Sequence, residues 1–154
     1  MADAKPKTIA TMKLSATCPA HARSDISVRD VELVIDEPKE RGGTNLGPTP
    51  TETLVASLIG CTNVIANRIA EKAGVHIERM DIEAAADFDR RGVMLEAELD
   101  TPFPSIALDI TVYTDADEAA FETVKRDLPK YCPVSKVIRG SGAEITETWT
   151  LKRP

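Results

Sequence analysis

Between residues 8 and 36 polar and apolar positions partly alternate, with Ile26 and Val28, then Val31, Leu33 and Ile35, at every second place. A period of two puts one row of side chains on each face of a strand, so two or three antiparallel strands are predicted, closed by Pro38. Pro38 to Pro50 is rich in Gly, Pro, Thr and Asn and reads as a loop rather than an inter-domain linker. The period then becomes helical. Leu54, Leu58, Cys61, Ile65 and Ile69 recur on one face, and Val55, Ile59, Ala66 and Ala70 widen it. Thr49 stands as N-cap, Pro50 suits the first helical position, and Glu52 completes a capping box. Gly74 after Lys72 supplies the left-handed stop, which puts the helix at about residues 50 to 73. So apolar a helix is expected to be buried on most sides, and a dimer would supply cover that one chain of this size does not.

Further on, Ile82, Ala84, Ala86 and Phe88 predict a strand, Arg90-Arg91-Gly92 a turn, and Val93 to Leu99 its hairpin partner. Ile106, Leu108, Ile110 and Val112 predict another strand beyond Pro102 and Pro104. A second helix follows, with Asp115 as N-cap, Glu118 three residues on, and Ala120, Phe121, Val124 and Leu128 on one face; Pro129 ends it. A short helix from Pro133 to Ile138 and a strand from Ala143 to Leu151 complete an α+β pattern with mainly antiparallel sheet. One domain over residues 1–154 is expected, residues 1–7 forming a frayed end.

Composition narrows the function. A formal charge of −6 argues against nucleic acid as a partner, since phosphate binding draws on clustered Lys and Arg. The uninterrupted apolar stretches are shorter than the roughly 20 residues of a membrane span, so no membrane crossing is expected. Met1 to Lys7 lacks the apolar core of a secretory signal, and cysteines number only three, which together predict a cytoplasmic protein. Aromatic residues make up 4% of the chain, so the core falls to Leu, Ile, Val, Ala and Met, which suits small or flexible apolar ligands as well as simple packing.

In a reducing compartment a thiol pair is more often redox-active or metal-binding than a static staple, which draws attention to Cys61, inside the long helix, and Cys132, at the start of Cys132-Pro-Val-Ser-Lys136. A thiol reacts as thiolate, and Cys132 has the local advantage, because it occupies the N-cap of the short helix where unpaired N–H groups point at the sulfur. Cys61, about three turns into its helix, needs a nearby cation; taken alone it also reads as a small buried hydrophobe. Arg23, Arg29 and Arg41 are the candidate cations. Glu52, nine residues before Cys61, would either orient such an arginine or simply cap the helix. Cys18-Pro-Ala-His21 offers two metal ligands where a structural zinc site uses four, and no second close pair is present, so no metal and no cofactor are assigned. His76 reads as a surface residue. There is no nucleotide-binding glycine loop, nucleophile elbow or metalloprotease motif.

Four pieces together resemble the OsmC/Ohr family of osmotically inducible and organic-hydroperoxide-resistance proteins. They are Gly42-Gly-Thr-Asn-Leu-Gly-Pro-Thr-Pro-Thr-Glu-Thr-Leu54, the helix through Gly60-Cys61-Thr62, the Lys72-Ala-Gly-Val-His-Ile77 exit, and Cys132-Pro-Val-Ser-Lys136, a likeness spanning about residues 26 to 151. The resemblance implies an intertwined α+β homodimer, antiparallel sheets around a buried central helix, with each active site at the dimer interface. It also implies a stress-response antioxidant enzyme, a thiol peroxidase acting on organic hydroperoxides. Cys61 would be peroxidatic and Cys132 resolving, an external dithiol would regenerate them, and an Arg near Cys61, Arg23 or Arg29, becomes a requirement, with Glu52 as its carboxylate. In the organic-hydroperoxide branch that carboxylate lies ten residues before the cysteine, where this chain has Thr51, so the chain sits nearer a general OsmC-like branch. Two other readings remain: an apolar-ligand-binding protein of the same fold whose cysteines only pack, and a zinc module built on Cys18 and His21.

Overall fold

A computed structural model describes residues 8–154; the expected frayed end at residues 1–7 lies outside the described residues. The chain divides into two compact units, one ending at Thr53 and one from Leu54 to Pro154.

In the first unit the alternating segment forms three antiparallel strands, β1 (Ser15–Ala20), β2 (Arg23–Val28) and β3 (Val31–Asp36), in the order β1-β2-β3. Arg29 makes the β2–β3 reversal in the left-handed region, φ 56°. Pro38 ends the strand run and caps a short 3-10 turn at Lys39–Arg41. The loop that follows is organised from within by Asp36, which is fully buried. Its carboxylate accepts from the N–H groups of Glu37 (2.8 Å), Thr44 (3.1 Å) and Leu46 (3.1 Å) and from the Thr44 hydroxyl (2.5 Å). Gly43 and Gly47 lie so close to β3 and its exit that a Cβ would overlap the carbonyl oxygens of Glu37 and Val34 respectively. The glycines of this loop therefore serve close backbone packing.

The long helix α1 runs Pro50–Lys72. Its predicted start is present: the Glu52 carboxylate accepts from the Thr49 N–H (2.8 Å) and the Thr49 hydroxyl from the Glu52 N–H (3.2 Å). At the other end Gly74 adopts φ +72°, with the Val75 N–H on the Ala70 carbonyl and the Gly74 N–H on that of Glu71, a Schellman motif. By length and composition α1 passes for a membrane span, mean hydropathy 1.3 over its best window, contrary to the expectation that no apolar stretch is long enough. Its Leu58, Thr62, Ala66 and Ala70 are nonetheless buried within the protein. Burial on most sides is not found in the single chain: only those four are fully covered, and Val64 is 47% exposed.

The second unit carries a sheet in the order β4-β5-β6, formed by β4 (Arg79–Asp87), β5 (Ser105–Tyr113) and β6 (Glu144–Lys152). β4 pairs antiparallel with β5 along its whole length, Ile82 opposite Ile110, whereas β5 and β6 run parallel, Ile110 opposite Trp149. A parallel neighbour requires a crossover, supplied by α2 (Glu118–Tyr131) and α3 (Pro133–Gly140). Strict alternation on β5 turns Ile106, Leu108, Ile110 and Val112 inward. They form one core with Leu58, Ala66 and Ala70 of α1, Phe121, Val124 and Leu128 of α2, and Cys132. Phe121 is fully buried with its ring 5.6 Å from that of Trp149, tilted by 59°.

Three further expectations need correction. Val93 to Leu99 is not a strand. Asp89 grips the guanidinium and backbone N–H of Arg91, and the Met94, Leu95 and Glu96 N–H groups bond Arg90, Gly92 and Arg91, so the segment is a series of turns. β4 takes β5 as its partner instead. The second helix is capped by Asp117, whose carboxylate accepts from the Ala120 N–H (2.8 Å), because Thr114 is still bonded to the Lys152 carbonyl at the sheet edge, leaving Asp115 short of the helix. Pro129 does not end α2: it removes one donor only, and the Cys132 N–H still reaches the Leu128 carbonyl (3.0 Å).

Candidate active site

Cys61 and Cys132, 71 residues apart in sequence, are brought together, with their free sulfurs 2.6 Å apart. A disulfide bond measures about 2.05 Å, so an oxidant that takes two electrons from the pair could join the sulfurs with little movement of either chain segment. α1 supplies Cys61, half-buried one residue before the buried Thr62. The α2–α3 junction supplies Cys132, which is C-cap of one helix and N-cap of the next and is fully buried. The tight junction is dictated locally: Cys132 has extended backbone (ψ 107°), as the residue before a proline prefers, and Pro133 then opens α3 at its first position.

As N-cap, the Cys132 sulfur accepts from the Ser135 N–H at 3.4 Å, the contact predicted to favour its thiolate. Burial outweighs it. The Cys132 thiol is pushed up from about 9 to about 11, first by burial and then by Cys61, with the Ser135 and Val134 N–H groups pulling the other way. The local advantage of Cys132 as nucleophile is therefore lost in the fold.

Behind Cys132 lie two residues that the sequence reading passed over. Arg139, one turn beyond Ser135 on α3, donates through Nε to the Ser135 hydroxyl (3.1 Å) and pairs with Glu147 of β6 (3.5 Å). The Glu147 carboxyl is pushed up by burial, with Arg139 and the Trp149 indole opposing. A signal for both was present: Ser135 and Arg139 stand four apart on a helix, and Glu147 interrupts the inward row Ile145, Trp149, Leu151.

The remaining candidates stay within their own surroundings. Glu52 is exposed and engaged with the Thr49 N–H. Arg23, on β2, holds Asp25 through two bonds (2.7 and 3.1 Å) and is kept firmly charged by that carboxylate. Arg29 is exposed in the β2–β3 turn, and Arg41 pairs with Glu37 at 2.6 Å. Exposed Cys18 lies 3.4 Å from the Ser24 hydroxyl, and among the described residues no three His, Cys, Asp or Glu converge as a metal site. His76 is exposed, as expected, its carbonyl accepting from Thr114.

A groove of about 460 Å³ opens between α1 and α2, lined by Ile65, Ile69, Ala73 and Tyr131 with Arg68 and Lys72 at its wall. Ile65 is one turn along α1 from Cys61, and Tyr131 directly precedes Cys132.

An α+β chain with two free, touching thiols at a helix junction belongs to the class of dithiol proteins. Its family is OsmC: the family model for OsmC-like proteins matches residues 43–148, and the chain belongs to that family. None of the curated proteins matches the chain. Among solved structures it is similar to an OsmC-like protein from Mycoplasma pneumoniae, with TM-score 0.76 and 17% identity, covering 92% of this chain and 97% of that one. An organic hydroperoxide resistance protein from Legionella pneumophila aligns with TM-score 0.65 and 17% identity over 95% of this chain and 99% of its own. The organic hydroperoxide resistance protein OhrB of Bacillus subtilis gives 0.57 and 20% over 92% and 98%.

Proposed function

We propose that this OsmC-family protein is a thiol-dependent peroxidase that reduces organic hydroperoxides. The observation carrying this reading is the Cys61–Cys132 contact at 2.6 Å. The Cys61 thiolate attacks the peroxide O–O bond, the alcohol leaves, and Cys61 becomes a sulfenic acid. Cys132 displaces the hydroxyl as water and closes a disulfide, which an external dithiol reduces. Burial supports this division of labour: Cys61 is partly exposed, while Cys132 is fully buried and its thiol is pushed up by that burial. The largely apolar groove lined by Ile65, one turn from Cys61, and by Tyr131, next to Cys132 in sequence, supports an organic rather than an inorganic peroxide. Activation of Cys61 calls for a cation, and Arg23 and Arg29, with Glu52 as carboxylate, are the candidates from the family resemblance; replacing each by Ala or Gln and measuring the rate of the first thiol loss assigns the role. Residence in the cytoplasm supplies the dithiol reductant, and the working form is a homodimer.

Anaerobic titration with cumene hydroperoxide tests the reading. One equivalent is expected to remove two of the three thiols per chain, Cys18 remaining, and Cys61→Ser to abolish the loss. Thiols that survive excess peroxide would sink it. The groove also favours a second reading, an apolar-ligand carrier without peroxidase activity; native mass spectrometry showing a retained apolar molecule, with thiols inert to peroxide, would support that instead.

A further inference from the structure

Glu147 is out of place by the logic of its strand. It faces inward opposite Leu108, between Ile145 and Trp149, with only 11% of its side chain exposed. A buried carboxylate on an apolar row is costly unless paired, and its ion-pair partner is Arg139 of α3. Arg139 in turn holds the hydroxyl of Ser135, which is 2% exposed, and the Ser135 N–H lies on the Cys132 sulfur. A continuous path thus leads from β6 to the thiol: Glu147, Arg139, Ser135, Cys132.

We propose that Arg139 and Glu147 are positioning residues for the resolving thiol, bracing the first turn of α3 so that the Ser135 N–H stays on Cys132 while Cys132 attacks oxidised Cys61. The inference rests on the dithiol reading of the site and extends it to the second chemical step. In that step the Cys132 sulfur forms the new S–S bond, the group on the Cys61 sulfur leaves with the electron pair, and the Cys132 proton passes to solvent or to the leaving group. A buried thiol depends on each N–H that stabilises its anion, so loosening the Ser135 N–H contact, the larger of the two made by the first turn of α3, slows this step and spares the first.

An aromatic disulfide, dithiodipyridine, reads the two steps without peroxide. In a Cys18→Ser background, one equivalent converts half-exposed Cys61 to a mixed disulfide with release of one thiopyridone, and attack by Cys132 releases the second. Arg139→Ala and Glu147→Gln are expected to release the first at the parent rate and the second about threefold more slowly, as a rise of one pKa unit in Cys132 would produce once the greater nucleophilicity of the more basic thiolate is counted. The pH profile of the second release should move upward, and Arg139→Lys, which retains the charge opposite Glu147, should recover much of the rate. An unchanged second release in both variants, or equal slowing of both releases with a lowered melting temperature, overturns the proposal and leaves a purely structural pair. Because the reagent is not a peroxide, inertness to cumene hydroperoxide would defeat the peroxidase reading while this assay still decides the role of Arg139.

Discussion

Asp36 and Cys132 are both fully buried, yet their acidities move in opposite directions. Burial opposes charge at each. At Asp36 four donors overcome it and hold the carboxyl down at about 2, the Thr44 hydroxyl contributing most; at Cys132 the weak N–H contacts do not, and the thiol rises. For Asp36, a folded-state value below the unfolded value near 3.9 means that its contribution to stability is complete above about pH 4 and is lost as pH falls toward 2. Asp36→Asn should therefore lower the melting temperature at pH 7, since an amide nitrogen would face the Leu46 or Thr44 N–H, and should flatten the acid limb of a melting-temperature profile between pH 4 and 2. An unaltered acid limb would show that other carboxylates control it. At this scale the sequence revealed the residue types but not their states: Cys61 and Cys132 were recognisable as reactive candidates, while the acidity of Cys132 was misjudged because burial is a property of the surrounding chain.

Elements were most legible where local chemistry alone decides them. The two ends of α1 were readable because capping box and left-handed glycine act through near neighbours. Gly74→Ala tests that directly. A Cβ there meets nothing within 4 Å, so the cost is backbone strain at φ +72° alone, and urea denaturation should register about 1–2 kcal/mol of destabilisation. A larger loss would mean that the glycine also serves packing. In contrast, Phe121→Ala in α2 removes a wholly buried ring packed at a tilt against Trp149 and should cost about 3–5 kcal/mol. Illegible elements were those set by distant partners. Val93 to Leu99 has a strand's composition, but β4 already has β5 along its full register, and the Asp89–Arg91 contact turns the segment back. Asp115 and Asp117 are equally good caps locally; the bond from Thr114 to Lys152, made across the sheet, chooses the second.

At the scale of the whole molecule, exposed apolar side chains stand out: Ile9, Met12 and Leu14 ahead of β1, Val64 on α1, and Val93, Met94 and Leu95 in the turn series, Leu95 at 92%. Exposed apolar side chains of this kind are what an interface between protein chains covers. A homodimer is the occupant that the family reading proposes, and light scattering should give twice the chain mass of 16.7 kDa, with Val64→Asp or Leu95→Asp shifting it toward the monomer. A monomer at micromolar concentration in the parent protein would remove the dimer from the proposed mechanism. The sequence by itself determined the α+β class, the limits of α1, the turn-forming loop before it and the two cysteines of interest, because periodicity and capping act over a few residues. Only the tertiary structure decided that the cysteines touch, that β6 lies parallel to β5, and that Arg139 and Glu147 stand behind Cys132. Each depends on bringing together side chains from distant parts of the chain, and the burial so produced sets both which strand pairs with which and which proton a sulfur keeps.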